Sequence, residues 1–566
     1  MPSQCAYPNP AIPIRMKSSL ALRPFVTVVL TCLTVLGQAA LPVPDADNGG
    51  LELPPGFRAL IVADNLVAGR KVGKSSDQLR FLAVAPNGDI YAKTSLGGII
   101  ALRDKDGDGR FEEKQEFGSG GGTGIALRGD WLYHSSNSAV YRYKLTSGQL
   151  VPAGEPETVI SGLPDQRQHE AKSFAFGGDG QLYVETGSPS NAYGNPDRAY
   201  MPPGTPSKDP TEFLKTHGGF WRYDPDKLNQ TQADGYHFST GHRHVLAISW
   251  NRAAQSFYVA QMGRDQLNVV APEYYDELDN AERVSEVMHK LTEGTNLGWP
   301  YTYWDPIKKA RMLTPEHGGD GRKRAEPGKY PDPAIAFPAH WAPLQMSFYH
   351  AEQFPAKYRN GAFMTFHGSW NRAPRPQEGY RVAFVPFDEK GAPLGDYELF
   401  ARNSSGTRFR MGGVAVAPDG SLYISETDQG RIWRIIYTGE TTAMPATTAA
   451  IENKVAVAPT TVISPGRTVF EQICAACHMV DGSGAGQMQP ALVGSAVVKG
   501  DATQIIRVVL TGPAAVLPAD RPKYANVMPA FSVLSDEQIA AVLTYVRQNF
   551  GAGASPITPA QVAAQR

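Results

Sequence analysis

One ten-residue pattern recurs along this chain and constrains its fold more than any other feature. The clearest copies are Leu82-Ala-Val-Ala-Pro-Asn-Gly-Asp-Ile-Tyr91, Phe174-Ala-Phe-Gly-Gly-Asp-Gly-Gln-Leu-Tyr183 and Val414-Ala-Val-Ala-Pro-Asp-Gly-Ser-Leu-Tyr423. Weaker copies begin at Ile125 and Leu246. Asn-Gly or Asp-Gly supplies the turn between two apolar runs, which is a hairpin signal. Hairpins spaced irregularly by roughly forty residues or more predict blades arranged around an axis. Residues 50–437 are therefore expected to form an all-β six-bladed β-propeller. A two-sheet sandwich would not repeat one hairpin so faithfully. The 57 glycines and 45 prolines suit many short strands and turns.

The pattern stops near Tyr437. Residues 438–465 are rich in Thr, Ala, Val and Pro and read as a flexible linker. Residues 466–551 change period and predict a small all-α domain with a complete core of its own. Ser535-Asp-Glu-Gln538 fits a capping box for a helix over 539–550. Ile539, Val542, Leu543, Val546 and Phe550 share its apolar face, and Gly551 is expected to end it. The tail 552–566 is expected to be disordered.

Inside this small domain stands Cys474-Ala-Ala-Cys477-His478. C-x-x-C-H signals covalent haem c attachment, with thiols one helical turn apart and the imidazole facing the iron. A thioredoxin-like redox pair is the competing reading. Only Cys5 and Cys32 occur elsewhere, both inside the expected leader. Three methionines compete for the second axial position. Met479 adjoins His478, and Met488 follows it by only ten residues. Met528 lies fifty residues on and is followed by Pro. A thioether opposite imidazole raises the potential and suits electron transfer.

Lys17 and Arg23 precede an apolar run over 25–36, with Gln38-Ala-Ala40 after it. Residues 1–40 thus read as a signal peptide whose translation starts at Met1 or Met16. The run is too short to span a bilayer, so a periplasmic or secreted protein, not an integral membrane one, is expected. With 54 basic and 55 acidic residues, charge gives no argument for nucleic acid.

Cationic clusters recur at the ends of the predicted hairpins: Gln168-His169, Gly241-His-Arg-His244, His367-Gly-Ser-Trp-Asn-Arg372 and Arg408-Phe-Arg410. Such positions converge on one mouth of a propeller, where arginine forks could grip carboxylates. Two long insertions, 187–226 and 299–341, are expected to carry binding surface. Asp104-Lys-Asp106-Gly-Asp108-Gly-Arg110 fits a structural Ca²⁺ loop and a plain acidic turn equally, since position twelve is Gln115.

Two resemblances follow from these motifs. The small domain resembles class I cytochromes c through Phe470, the C-x-x-C-H block, Pro490-Ala-Leu492, Val527-Met-Pro-Ala-Phe531 and the last helix. That resemblance implies His478 and Met528 as haem ligands. Residues from about 50 to 437 look like the six-bladed PQQ-dependent sugar dehydrogenases. The shared segments are Thr240-Gly-His-Arg243, Gly294-Thr-Asn-Leu-Gly-Trp-Pro300 and the His367–Arg372 block. The resemblance implies His169 as general base and Arg243 as stabiliser of developing negative charge or of an oxygen of the quinone. It implies Arg408, Arg410 and Arg372 as PQQ carboxylate ligands, and the carbonyls of Gly263 and Arg264 as Ca²⁺ ligands. His244 stands where the glucose enzymes have Asn.

Together these readings predict a quinohaemoprotein that oxidises a small sugar, aldose or polyol. Electrons would pass to its own haem c, then to a downstream cytochrome or the membrane respiratory chain. Two rivals are a calcium-dependent lactonase and a non-enzymatic carbohydrate-binding propeller, each with an accessory cytochrome.

Overall fold

The computed structural model describes residues 41–72, 75–166, 168–373, 375–404, 409–439, 465–479, 482–484, 489–522, 524 and 528–566. The predicted signal peptide, residues 440–464 of the predicted linker, Arg408 and Met488 lie outside these residues.

Six antiparallel sheets form the six blades, and each Asp-Gly or Asn-Gly copy is the first hairpin of one blade. The first blade takes Leu79–Val84, Ile90–Thr94, Ile99–Arg103 and Glu113–Phe117 in order. The next three follow the same scheme up to Ile335–Ala339. The ring closes through the start of the chain. Phe57–Ala63 pairs with Ile432–Tyr437 as the outer strand of the last blade. Phe57 fixes that closure by edge-on contacts with Phe354, Phe400, Tyr358 and Tyr437, centroids 4.8–5.1 Å apart. Leu51–Glu52 adds a fifth strand to the fifth blade, beside Glu398–Asn403. The fifth blade has no Asp-Gly hairpin, because residues 349–361 separate its first two strands.

The small domain is helical, as expected. One helical run carries Pro465–Val469, Phe470–Cys474 and Ala475–His478. The helix Asp536–Asn549 starts at the Ser535/Gln538 capping box. Its five predicted face residues are all buried. The two helices cross where Gly466 leaves room: a Cβ there would lie 2.0 Å from the Ala541 carbonyl oxygen. Phe470 packs between Tyr545 and Phe550.

Two expectations need correction. The left-handed residue after the last long helix is Ala552, not Gly551. Residues 552–566 are ordered: Pro559–Ala563 is helical, Val562 is fully buried and Arg566 pairs with Asp536 at 2.6 Å. Apolar burial of Ile557 and Val562 offsets the ordering entropy that the Ala/Gln composition alone would not. The apolar cluster of the helical domain is built from residues of that domain, and Ala373 of the propeller joins it.

Candidate functional site

Loops before the inner strand of each blade, and loops joining second to third strands, open on one face of the propeller. His169 enters this mouth just before Phe174–Phe176. Arg243 and His244 do so before Val245–Asn251, and Arg410 before Met411–Val416. The structure therefore brings His169, Arg243 and Arg410 to one mouth.

His169 holds a left-handed backbone, φ 52°, a strained conformation for a non-glycine residue. Its Nδ1–H donates to the Ser188 carbonyl at 2.8 Å, which leaves Nε2 as the basic nitrogen. Burial first, then the charge of Arg243, lowers its pKa well below the usual imidazole value, so it is neutral at pH 7. Arg243 is buried and fixed by Asp265 at 2.6 Å and Asn191 at 3.1 Å. Asp265 also receives Arg198 at 3.0 Å and Asn371 at 2.9 Å.

Opposite lies a second cationic wall. Arg410 reaches His367 Nδ1 at 3.1 Å and lies over the Tyr380 ring. Arg80, on the first inner strand, belongs to the same group. Burial, together with Arg410, lowers its pKa to about 10 against the pull of Asp428. Sequence reasoning missed Arg80, although a cation inside the apolar run Leu79-Arg-Phe-Leu was the available signal. It also missed Asp265, whose partners meet only after the ring closes.

Arg372 does not face this wall. It donates to the carbonyl of Ala339, at the end of the fourth blade's outer strand, at 3.1 Å and to that of Pro376, in its own loop, at 3.3 Å. The Arg264 side chain pairs with the buried Glu316, and the Gly263 N–H donates to Glu286. At the start of the 299–341 insertion, Trp299 donates to the Asn191 carbonyl at 2.8 Å and so braces the mouth.

The mouth has buried polar atoms without partners among the described residues: Arg243 Nε, Arg80 Nε, Tyr380 Oη and both amide atoms of Gln377. Buried polar groups are normally paired. Unpaired donors beside four arginines fit an anionic, oxygen-rich group such as a carboxylated quinone. The donor set in the helical domain fits haem. His478 Nδ1–H donates to the Pro490 carbonyl at 2.8 Å, freeing Nε2 for a metal. Cys474 and Cys477 are not disulfide-bonded, and Met528 packs at the edge of the same core.

The helical domain rests on this mouth. Ala373, from the loop after His367, packs into its core. The Glu277 carboxyl sits against the Ala530 backbone N–H, two residues from Met528. Burial pushes the Cys477 thiol up to about 12, and the charge of Arg410 opposes the rise.

At some distance, Asp104, Asp106, Asp108 and Glu112 bring carboxylate oxygens within 4.8 Å of one another. The loop's own N–H groups also bind these acids, Gly107 and Gly109 both donating to Asp104. No helix among the described residues is long and apolar enough to cross a membrane.

Two family models match the chain, one over each domain. The family model described as TrAA12-like matches residues 51–438, and that of cytochrome c matches residues 463–550. A solved structure of the Trichoderma reesei Carbohydrate-Active Enzymes Family AA12 protein superposes with TM-score 0.54 at 16% identity, covering 69% of this chain and 98% of that one. The holo pyranose dehydrogenase PQQ domain from Coprinopsis cinerea gives TM-score 0.54 at 16% identity, covering 68% and 97%. Among curated proteins, an uncharacterized Borreliella burgdorferi protein is 24% identical over 35% of this chain and 48% of its own length. The gluconate 2-dehydrogenase cytochrome c subunit of Pantoea cypripedii is 38% identical over 18% of this chain and 24% of its own. The chain thus spans less than half the length of these curated relatives.

Proposed function

The chain belongs to the TrAA12-like family and ends in a cytochrome c domain, and on that basis we propose that it is an exported quinohaemoprotein dehydrogenase for a sugar, aldose or related polyol. The observation that carries this reading is the seating of the haem-attachment domain on the cationic mouth, through Ala373 and beside Arg410. Such seating would bring a donor site close to an electron carrier.

PQQ would supply a hydride-accepting quinone, and haem c a one-electron iron couple. His169 offers Nε2 to the substrate hydroxyl and takes its proton. Arg243, held by Asp265 and Asn191, keeps Nε for the oxygen on which negative charge develops. Arg80 and Arg410 would hold carboxylates, a role the resemblance also implies for Arg408. A Ca²⁺ would take the carbonyls of Gly263 and Arg264. The acid next to them, Asp265, is committed to two arginines. His478 and Met528 would be the axial haem ligands, and Cys474 and Cys477 would hold its vinyl groups. Acceptors downstream would be a cytochrome or the membrane respiratory chain, reached in the periplasm.

The test loads purified full-length protein with PQQ and Ca²⁺ and mixes it with a panel of sugars and polyols. Haem reduction should follow with at least one of them and vanish in His169→Gln while PQQ still binds. No quinone binding and no reduction with any donor would refute the proposal. Unchanged turnover in His169→Gln would remove His169 from the mechanism.

A further inference from the structure

Oxidising a carbinol to a carbonyl removes two electrons and two protons. A haem iron accepts electrons alone, so the propeller must dispose of the protons. His169 takes the first of them on Nε2, and its Nδ1–H is committed to Ser188. It cannot act again until that proton has moved on.

Two side chains stand directly behind it. The His244 ring lies 4.9 Å from the His169 ring, centroid to centroid, tilted by 30°. His244 Nδ1 lies 3.7 Å from Glu185 Oε1. Glu185 is fully buried, on the second strand of the third blade, and its Oε1 accepts the Val245 N–H at 3.1 Å. Neither His244 Nδ1 nor Glu185 Oε2 has a hydrogen-bond partner among the described residues. A buried acid and a buried imidazole facing each other with unused atoms can share one proton.

We propose that His244 and Glu185 form a buried relay that takes the substrate proton on from His169 and resets the base between turnovers. The inference rests on the dehydrogenase reading above. The O–H bond of the substrate breaks and an N–H forms on His169 Nε2. That proton passes to His244, whose Nδ1–H is handed to Glu185 Oε1. Burial raises the proton affinity of Glu185 against the pull of His244 and Lys172, which suits a proton acceptor. The other charged groups around the pair are Arg243, which is held by Asp265, and Lys172 and Glu170. Lys172 Nζ donates to the backbone carbonyl of Glu170 at 2.6 Å and takes no proton from the pair. The stored proton returns to His244, whose side chain is 11% exposed against 0% for Glu185, and leaves there to water at the mouth.

The experiment follows haem absorbance and a pH-indicator dye together, in weakly buffered solution, after mixing PQQ-loaded full-length protein with substrate. In the wild type, proton release should keep pace with haem reduction over successive turnovers. In Glu185→Gln and His244→Ala the first haem reduction should persist, while proton release and later turnovers slow by about tenfold or more. Added imidazole should restore His244→Ala. Undiminished proton release in both variants, or a slowed His244→Ala that imidazole does not help, would overturn the relay. A second reading needs no quinone. In the unloaded protein, nitrogen-labelled histidine spectra should show an exchange-protected Nδ1–H on His244 that Glu185→Gln abolishes. An unchanged signal would overturn the dyad. If the wild type reduces no haem, the dehydrogenase reading fails, and the spectra still decide the dyad.

Discussion

Replacing Asp265 with asparagine should destabilise the propeller more than any other single polar change at the mouth. Its carboxylate meets Arg243 at 2.6 Å and Arg198 at 3.0 Å, with side-chain exposures of 14%, 4% and 9% for acid, first and second arginine. Asparagine keeps one acceptor but turns an N–H₂ toward donors, leaving two buried cations facing each other. Removing one partner of a buried ion pair costs about 3–5 kcal/mol. Partial solvent access at Asp265 points to the lower end, about 3 kcal/mol. The penalty should depend on pH. Burial alone would raise the Asp265 pKa, but Arg243 and Arg198 outweigh it and hold the carboxyl well below the usual range. A depressed folded-state pKa contributes stability above the unfolded value, near 3.9, and loses it as pH falls through the folded value. The variant and wild type should therefore converge in strong acid. Guanidinium unfolding by tryptophan fluorescence is the assay, because all eight tryptophans lie between residues 131 and 433, in the propeller. A loss below about 1 kcal/mol at pH 7 would show that the arginines do not depend on this acid.

Gly466→Val should loosen the helical domain by about 1–3 kcal/mol, since its Cβ would meet the Ala541 carbonyl oxygen at 2.0 Å; haem-band thermal melts would show it, and an unchanged melt would refute the crossing. Glu426 is buried, and burial with Asp428 raises its pKa to about 7. A raised carboxyl pKa stabilises the fold below the unfolded value and less as pH rises through about 7. Glu426→Gln should therefore flatten the stability profile between about pH 4.3 and 7, and an unflattened profile would refute the assignment. Met528→Ala should lower the haem potential by losing a thioether ligand; an unchanged potential would exclude Met528 as ligand.

The hairpins of the first, third and last blades were legible because each turn is written in a local Asp-Gly or Asn-Gly. The fifth blade was not, because residues 349–361 replace that turn with a short helical connection around Ala356–Tyr358. The closing pair of Phe57–Ala63 and Ile432–Tyr437 is held by contacts between chain ends, which no local signal records. At the site, His169, Arg243 and Arg410 stood out because they border the repeats. Their positioning partners did not: Asn191 and Glu185 come from the third blade and Asp265 from the fourth, and only packing of the two blades brings them to Arg243 and His244. Arg372 suggested a ligand by its charge, whereas one carbonyl of its own loop and one of the neighbouring blade bind it. The contact at Ala373 was hidden because one alanine carries no pattern.

The central claim is that electrons cross directly from the propeller mouth to the haem seated on it. Stopped-flow mixing of PQQ-loaded protein with a donor sugar, at several protein concentrations, tests this most directly. The account predicts haem reduction as a first-order process whose rate does not change with protein concentration, and which slows when Ala373→Asp unseats the helical domain. Haem reduction whose rate rises in proportion to protein concentration, or is indifferent to Ala373→Asp, would contradict it.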